Sequence, residues 1–211
     1  MERRKIMADH RHSLRAISLY TSGGARKYLC GSERVRFYGA LEVLERDCER
    51  TFCEMIYWTG CRPSEALDLR AVNIDLEERI VVIRSLKKRG AMKGRHYRPV
   101  PVPDHFLARL DRVHGLRAAR ATMDGGEHRL WAFGRTSAWS YMRAVMIAAG
   151  LTGAKACSRG LRHSYGVHAA ICGVPESRIK SWLGHESLAT TAIYLEMAAH
   201  EDREIAERMW A

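Results

Sequence analysis

The sequence predicts an α+β chain that is mainly α, a helical domain carrying one small antiparallel β-hairpin or sheet. Three observations lead there. Apolar residues recur at three- and four-residue spacing along most of the chain. The one β-branched run, Ile80-Val81-Val82-Ile83, is short enough for a strand. Glycines at 60, 150, 173 and 184 cut the helical pattern into separate pieces.

In chain order, residues 1–31 are basic, contain Ser22-Gly23-Gly24, and read as an arm or loosely packed lead-in. From Ser32 a first helix is expected on Val35, Leu41, Val43 and Leu44. Phe52, Met55, Ile56 and Trp58 define a second helix that stops at Gly60. Pro63 stands where a first helical position should be, with Glu65-Ala66-Leu67-Asp68-Leu69 continuing that helix. Ile80–Ile83 then forms a strand, Lys88 to Gly94 a charged turn, and Tyr97 to Val102 a returning strand. Pro99 and Pro101 mark the return as an edge, and Val72-Asn73-Ile74 is a possible third strand. Asp104 is the expected N-cap of a helix on Phe106, Leu107 and Leu110, and Asp124-Gly125-Gly126 is a loop. Further helices are expected over Ser137–Ala149 and from near Gly160, Pro175 and Ser187. With no boundary after residue 31, residues 32–211 are expected to form one domain.

The composition narrows the partners. The chain has 211 residues, 46% hydrophobic and 28% charged, and no run near the about 20 apolar residues of a membrane span. Its basic start lacks the apolar centre of a signal peptide, so a cytoplasmic location is expected. Thirty-five Lys and Arg against 24 Asp and Glu give a formal charge of +11, which favours a polyanion, most commonly nucleic acid. The six cysteines form no CxxC pair and no zinc-spaced cluster, and reduced thiols are expected. No cofactor is expected. The carboxylates are not clustered as a two-metal nuclease requires.

The last third carries the strongest signal: Gly160-Leu161-Arg162-His163, then Leu183-Gly184-His185, then Thr190-Thr191-Ala192-Ile193-Tyr194. Upstream stands Thr59-Gly60-Cys61-Arg62-Pro63-Ser64-Glu65. Together, in this order, they resemble the tyrosine recombinase (phage integrase) family over roughly residues 32–200: its TGxRxxE box, its LRH and LGH tripeptides, and a tyrosine just beyond. The resemblance implies the integrase-like catalytic fold. It implies DNA cutting and rejoining through a covalent 3′-phosphotyrosine, on double-stranded DNA, by a homo-tetramer that exchanges C-terminal segments. Most members carry a separate DNA-clamping domain before the catalytic one. The lead-in here is too short for that, so a chain of catalytic domain alone, or a fragment, is expected.

The chemistry suits these residue types. A phosphodiester in transit through a pentacoordinate state gains charge on its non-bridging oxygens, and two planar, permanently charged guanidiniums can hold them. The resemblance gives that clamp to Arg62 and Arg162 and the nucleophile to Tyr194. His185 would hydrogen-bond the phosphate, and Glu65 would orient its neighbours. A hairpin lysine would protonate the 5′-oxygen. Adjacent strand residues face opposite ways, so only one of Lys87 and Lys88 is expected to reach the site. The resemblance favours Lys87, because family hairpins usually place the first lysine of the turn there, and Lys88 is the alternative. Lys88, Arg89, Lys93 and Arg95 are expected on DNA phosphates. The family usually has His or Lys three residues before the second arginine. Here that residue is Arg159, which can supply charge but cannot shuttle a proton.

Taken singly, Arg62 would be a solvated surface residue and Tyr194 a core residue. His185 could be a helix C-cap and Lys87-Lys88-Arg89 a solvated turn. His163 is expected to be structural, and Ile179, Trp182 and Leu183 to be core. The order of the four boxes outweighs these readings. Two rivals share the fold or the chemistry: a catalytically impaired DNA-binding regulator, favoured only by Arg159, and a type IB topoisomerase-like relaxing enzyme.

Overall fold

A computed structural model describes residues 18–86, 96–121, 126–185 and 187–200. The first helix, α1 (Gly31–Gly39), tightens into a 3-10 turn over Ala40–Val43. The expected apolar face is not the one that packs. Val35 and Val43 are exposed, while Phe37, Leu41 and Leu44 are buried. Helix α2 (Asp47–Thr59) is the axis of the core, with nine of its 13 residues buried, so it is enclosed rather than amphipathic. Phe52 packs edge-on against Trp131 and Phe133 across the core.

Helix α2 ends at Gly60, which has φ 61° and the left-handed backbone that a glycine adopts without strain. Space forbids a side chain there as well: a Cβ would lie 2.9 Å from Leu183 and Tyr165. Helix α3 (Pro63–Ala66) follows with its proline at the first position. It stops at Ala66, earlier than the expected run to Leu69, and the chain turns to enter the sheet.

The sheet has three antiparallel strands in the order β1 (Ile74–Asp75), β2 (Ile80–Arg84), β3 (Tyr97–Pro101). The third strand is shorter than expected: Ala71–Asn73 is a 3-10 turn, and pairing begins at Ile74 with Val81. Strand β3 is an edge, where its prolines cost no ladder bonds. Val81 and Ile83 face inward opposite Val100 and Arg98. Period-two alternation therefore sends Arg98 inward beside Val100.

Helix α4 (Asp104–His114) begins after Pro103. Asp104 is its first residue rather than its cap, and its carboxylate pairs with Arg79. Helices α5 (Leu116–Arg120) and α6 (Arg135–Ala148) complete the first layer of packing. Then come α7 (Ser158–Ile171), α8 (Glu176–Leu183) and α9 (Ala189–His200), with Gly173 and Gly184 in positive φ between them. Helix α7 packs on both α2 and α9, so it joins the main core to a second cluster of Leu19, Tyr28, Val167, Ile179, Leu183 and Tyr194.

Residues 18–30 differ from the loose lead-in expected of them. Leu19, Tyr28 and Leu29 are buried, and the Leu29 amide donates to Ser164 Oγ of α7 at 2.6 Å. Glu33 accepts from Arg26 and from Lys155 Nζ at 2.5 Å, which ties this stretch to the loop before α7. The cysteines are free, and Cys53 and Cys61 are core residues. Among the described residues no helix is long and apolar enough to cross a membrane.

Candidate active site

The site begins where α2 ends. Left-handed Gly60 turns its carbonyl away from the helix, and Arg162 Nη1 of α7 donates to it at 2.7 Å. Arg162 Nη2 donates to the Leu183 carbonyl at the end of α8, 2.6 Å away. One buried guanidinium thus clamps the ends of two helices and still has N–H groups to offer. Burial first, then the like charge of Arg62, pull its pKa down to about 10, so it remains cationic at neutral pH.

Two residues past Gly60, Arg62 precedes α3. Glu65 reaches back to it twice, accepting from its backbone N–H at 3.0 Å and from Nη1 at 2.8 Å. Oε2, which takes the Arg62 backbone N–H, also accepts from Arg98 Nη2 at 2.6 Å. Arg98 also donates to the Trp182 carbonyl and to Ser85 Oγ. Burial pushes the Glu65 pKa upward, but Arg98 and Arg62 outweigh it and hold the carboxyl below its ordinary value. Two arginines share one buried carboxylate, and the charge of Arg162 adds to theirs, which leaves excess positive charge. Arg62, with a third of its side chain exposed, brings that charge to the surface.

The opposite wall is neutral. Tyr194 on α9 is 1% exposed, and a Cβ on Gly166 would come within 2.7 Å of its ring, so the helices approach this closely only through a glycine. The phenol oxygen lies 3.1 Å from His163 Nδ1, and its ring stacks on His185 at 5.9 Å between centroids. His185 Nδ1 lies 3.0 Å from Thr191 Oγ1, itself fully buried. Burial raises the Tyr194 pKa to about 12 against the opposing pull of Arg162 and Arg62. Burial, then Arg162 and other cations, lower His163 to about 4 and His185 to about 3. Both imidazoles are therefore neutral at pH 7.

Arg62, Glu65, Arg162, His185 and Tyr194 are thus brought together. Arg159 is exposed in the first turn of α7, and its charge adds to the field that keeps His163 neutral. Lys87, Lys88, Arg89, Lys93 and Arg95 lie outside the described residues. The strand ends that flank them, Ser85 and His96, line a cleft of about 250 Å³ with Lys180, Ser181 and His185.

Two residues of the site escaped the sequence reading. Arg98 could have been found from the alternation of β3, which puts it on the face of Val100. His163, expected to be structural, contacts the phenol oxygen; one turn of α7 separates it from Arg159, and its side chain faces α9. Among the described residues no group of His, Cys, Asp and Glu could hold a metal ion.

Residues 33–201 match the model of the phage integrase family. The chain belongs to that family. It is 32% identical over 168 residues to the tyrosine recombinase XerD of Mycobacterium tuberculosis, covering 74% of this chain and 50% of that protein. It is 28% identical over 170 residues to the tyrosine recombinase XerA of Pyrococcus furiosus, covering 80% and 57%. The chain thus spans about half the length of the curated relatives it matches. Its fold is similar to that of the XerH site-specific recombinase in a post-cleavage complex with its difH substrate, with TM-score 0.70, 22% identity, and 88% of this chain and 54% of that one covered. It is also similar to the catalytic domain of bacteriophage HP1 integrase, with TM-score 0.59, 19% identity, and 85% and 93% covered.

Proposed function

We propose that this integrase-family chain cuts and rejoins double-stranded DNA site-specifically, with Tyr194 forming a covalent 3′-phosphotyrosine. Residues 32–211 are the catalytic unit. The observation that carries this reading is the convergence of a buried phenol with two guanidiniums, Arg162 and Arg62, whose charges both act on it.

The scissile phosphate docks against Arg62 and the unused N–H groups of Arg162. Their charge neutralises the diester and stabilises the extra negative charge of the pentacoordinate state, an effect worth about 3 kcal/mol or more per preorganised donor. Glu65 fixes the direction of Arg62, and Arg98 fixes Glu65. His185, neutral and held through Nδ1 by Thr191, has Nε2 free to donate to a non-bridging oxygen. Attack by Tyr194 Oη on phosphorus expels the 5′-oxygen, which takes its proton from Lys87 or Lys88. Reversal by a 5′-hydroxyl rejoins the strand, and the phosphotyrosine conserves the bond energy, so no nucleotide cofactor is needed. Arg159 is a third cationic donor at the mouth of the site. The basic stretch with Lys88, Arg89, Lys93 and Arg95 contacts backbone phosphates. The working form is a tetramer on two duplexes, in the cytoplasm.

The test is a pool of nicked duplexes of randomised sequence, from which the short fragment beyond the nick diffuses away once the strand is cut. Protein that stays on DNA through detergent supports the reading; none at saturating protein contradicts it. Binding should weaken with salt on a log–log slope of about −4 to −5 if about five phosphates are contacted.

A further inference from the structure

We infer that His163 is a further catalytic residue, the group that holds the Tyr194 hydroxyl and takes its proton during attack. The inference rests on the recombinase reading and assigns one atom of its chemistry.

The geometry is direct. Tyr194 Oη lies 3.1 Å from His163 Nδ1, its one hydrogen-bond partner among the described residues. A buried phenol O–H needs an acceptor. A neutral imidazole is one, and accepting at Nδ1 puts the ring proton on Nε2. No other described side chain near the phenol can take this part. Arg162 and Arg62 are donors only. His185 stacks on the ring of Tyr194, and its Nδ1 is engaged by Thr191. Arg159, at the position where the family's usual His or Lys would stand, has no acceptor atom.

The surrounding charges serve this role. Burial first, and then the charges of Arg162, Arg159 and Lys27, keep His163 neutral and so able to accept. A docked phosphate would neutralise part of that field and make the imidazole a better base when the substrate is in place. With the phenol at about 12 and the imidazole at about 4, proton transfer ahead of attack is uphill by about eight powers of ten. The proton therefore leaves as the Oη–P bond forms. In the balanced step, the Oη–H bond breaks and Nδ1–H forms, while Oη–P forms as P–O5′ breaks. The departing 5′-oxygen receives a proton from a lysine ammonium or a water molecule. On rejoining, the imidazolium returns its proton to Tyr194 Oη.

The test compares single-turnover adduct formation by wild type and His163→Asn on the nicked-duplex pool, with DNA affinity and thermal midpoint measured alongside. Asparagine keeps a polar group near Nδ1 but cannot take a proton. The expected loss is about 100-fold or more, the lower range of general-base effects, with affinity unchanged. The loss should persist on duplexes with a 5′-bridging sulfur, whose leaving group needs no proton. A His163→Asn rate equal to wild type, or full recovery on the sulfur substrate, overturns the assignment and leaves the recombinase reading intact. No adduct from wild type overturns both. A measurement independent of activity is the ¹⁵N spectrum of the His163 ring. Nδ1 should be unprotonated, and its resonance should move in Tyr194→Phe; a protonated Nδ1 at neutral pH overturns the assignment.

Discussion

The two walls of the site are built on opposite principles. The wall from α3 and β3 is ionised: Arg62 and Arg98 both pair with Glu65, and their charges hold its buried carboxyl below its ordinary value. The wall from α7 and α9 keeps its groups neutral: His163, His185 and Tyr194 lie in a dry environment where charge is costly. Arg162 belongs to both, buried with the neutral groups yet cationic. The same positive field that would attract a phosphate pushes protons off the histidines. In the proposed reaction one wall binds the phosphate while the other moves a proton.

Removing Arg162 should break both walls at once. Arg162→Ala takes away the transition-state donor and leaves the Gly60 and Leu183 carbonyls without their partner. Adduct formation should fall by about 1,000-fold or more, and each carbonyl left unpaired should cost about 1–3 kcal/mol of stability. Single-turnover kinetics and a denaturant titration measure the two parts, and a variant that loses neither would dissolve the comparison.

The ionised wall can be broken alone. Arg98→Ala leaves Glu65 buried with only Arg62 beside it, which should cost about 3–5 kcal/mol. Replacing both Arg98 and Glu65 with methionine should recover much of that stability but not the rate, because Arg62 then loses its orientation. A double variant with a full cleavage rate would show that the carboxylate does not matter to Arg62.

At Arg159 only charge is at stake. Arg159→Lys should keep much of the cleavage rate, while Arg159→Ala should lose about 100-fold, with binding of intact DNA changing much less. A wild-type rate in Arg159→Ala would make it a bystander.

Acid should unsettle the neutral wall. His163 and His185, lowered to about 4 and about 3, bind fewer protons folded than unfolded between those values and about 6.5. Stability should therefore be full above pH 6.5 and fall as pH drops through 6 and 5. The slope is about 1.4 kcal/mol per pH unit for each histidine that must charge. Denaturant midpoints across this range should flatten in His185→Gln, and an unchanged slope would mean that His185 is not held neutral.

Much of this arrangement is written in local sequence. Gly60, Arg62 and Pro63 announce a helix stop, a charged residue and a helix start, and those are short-range rules. The hairpin was legible from Ile80–Ile83 and the two prolines. What escaped depended on tertiary packing. Val35 lies on the exposed face of a regular helix and Val43 at the end of a 3-10 turn that begins at Ala40, and neither placement is set by apolar spacing alone. Arg98 is hidden because charged residues are expected outside, and its burial is made tolerable by tertiary partners, Glu65 33 positions away in the chain, Trp182 and Ser85. His163 looked structural because no local rule reports that α9 will lay a tyrosine against it.

The claim on which the rest depends is that Tyr194 attacks phosphorus. It is tested most directly by digesting the detergent-stable adduct from the nicked-duplex pool and locating the modified peptide by mass spectrometry. The account predicts a nucleotide on the peptide containing Tyr194, and no adduct from Tyr194→Phe although that variant folds and binds DNA like wild type. A nucleotide on another residue, or an adduct from the phenylalanine variant, would contradict it.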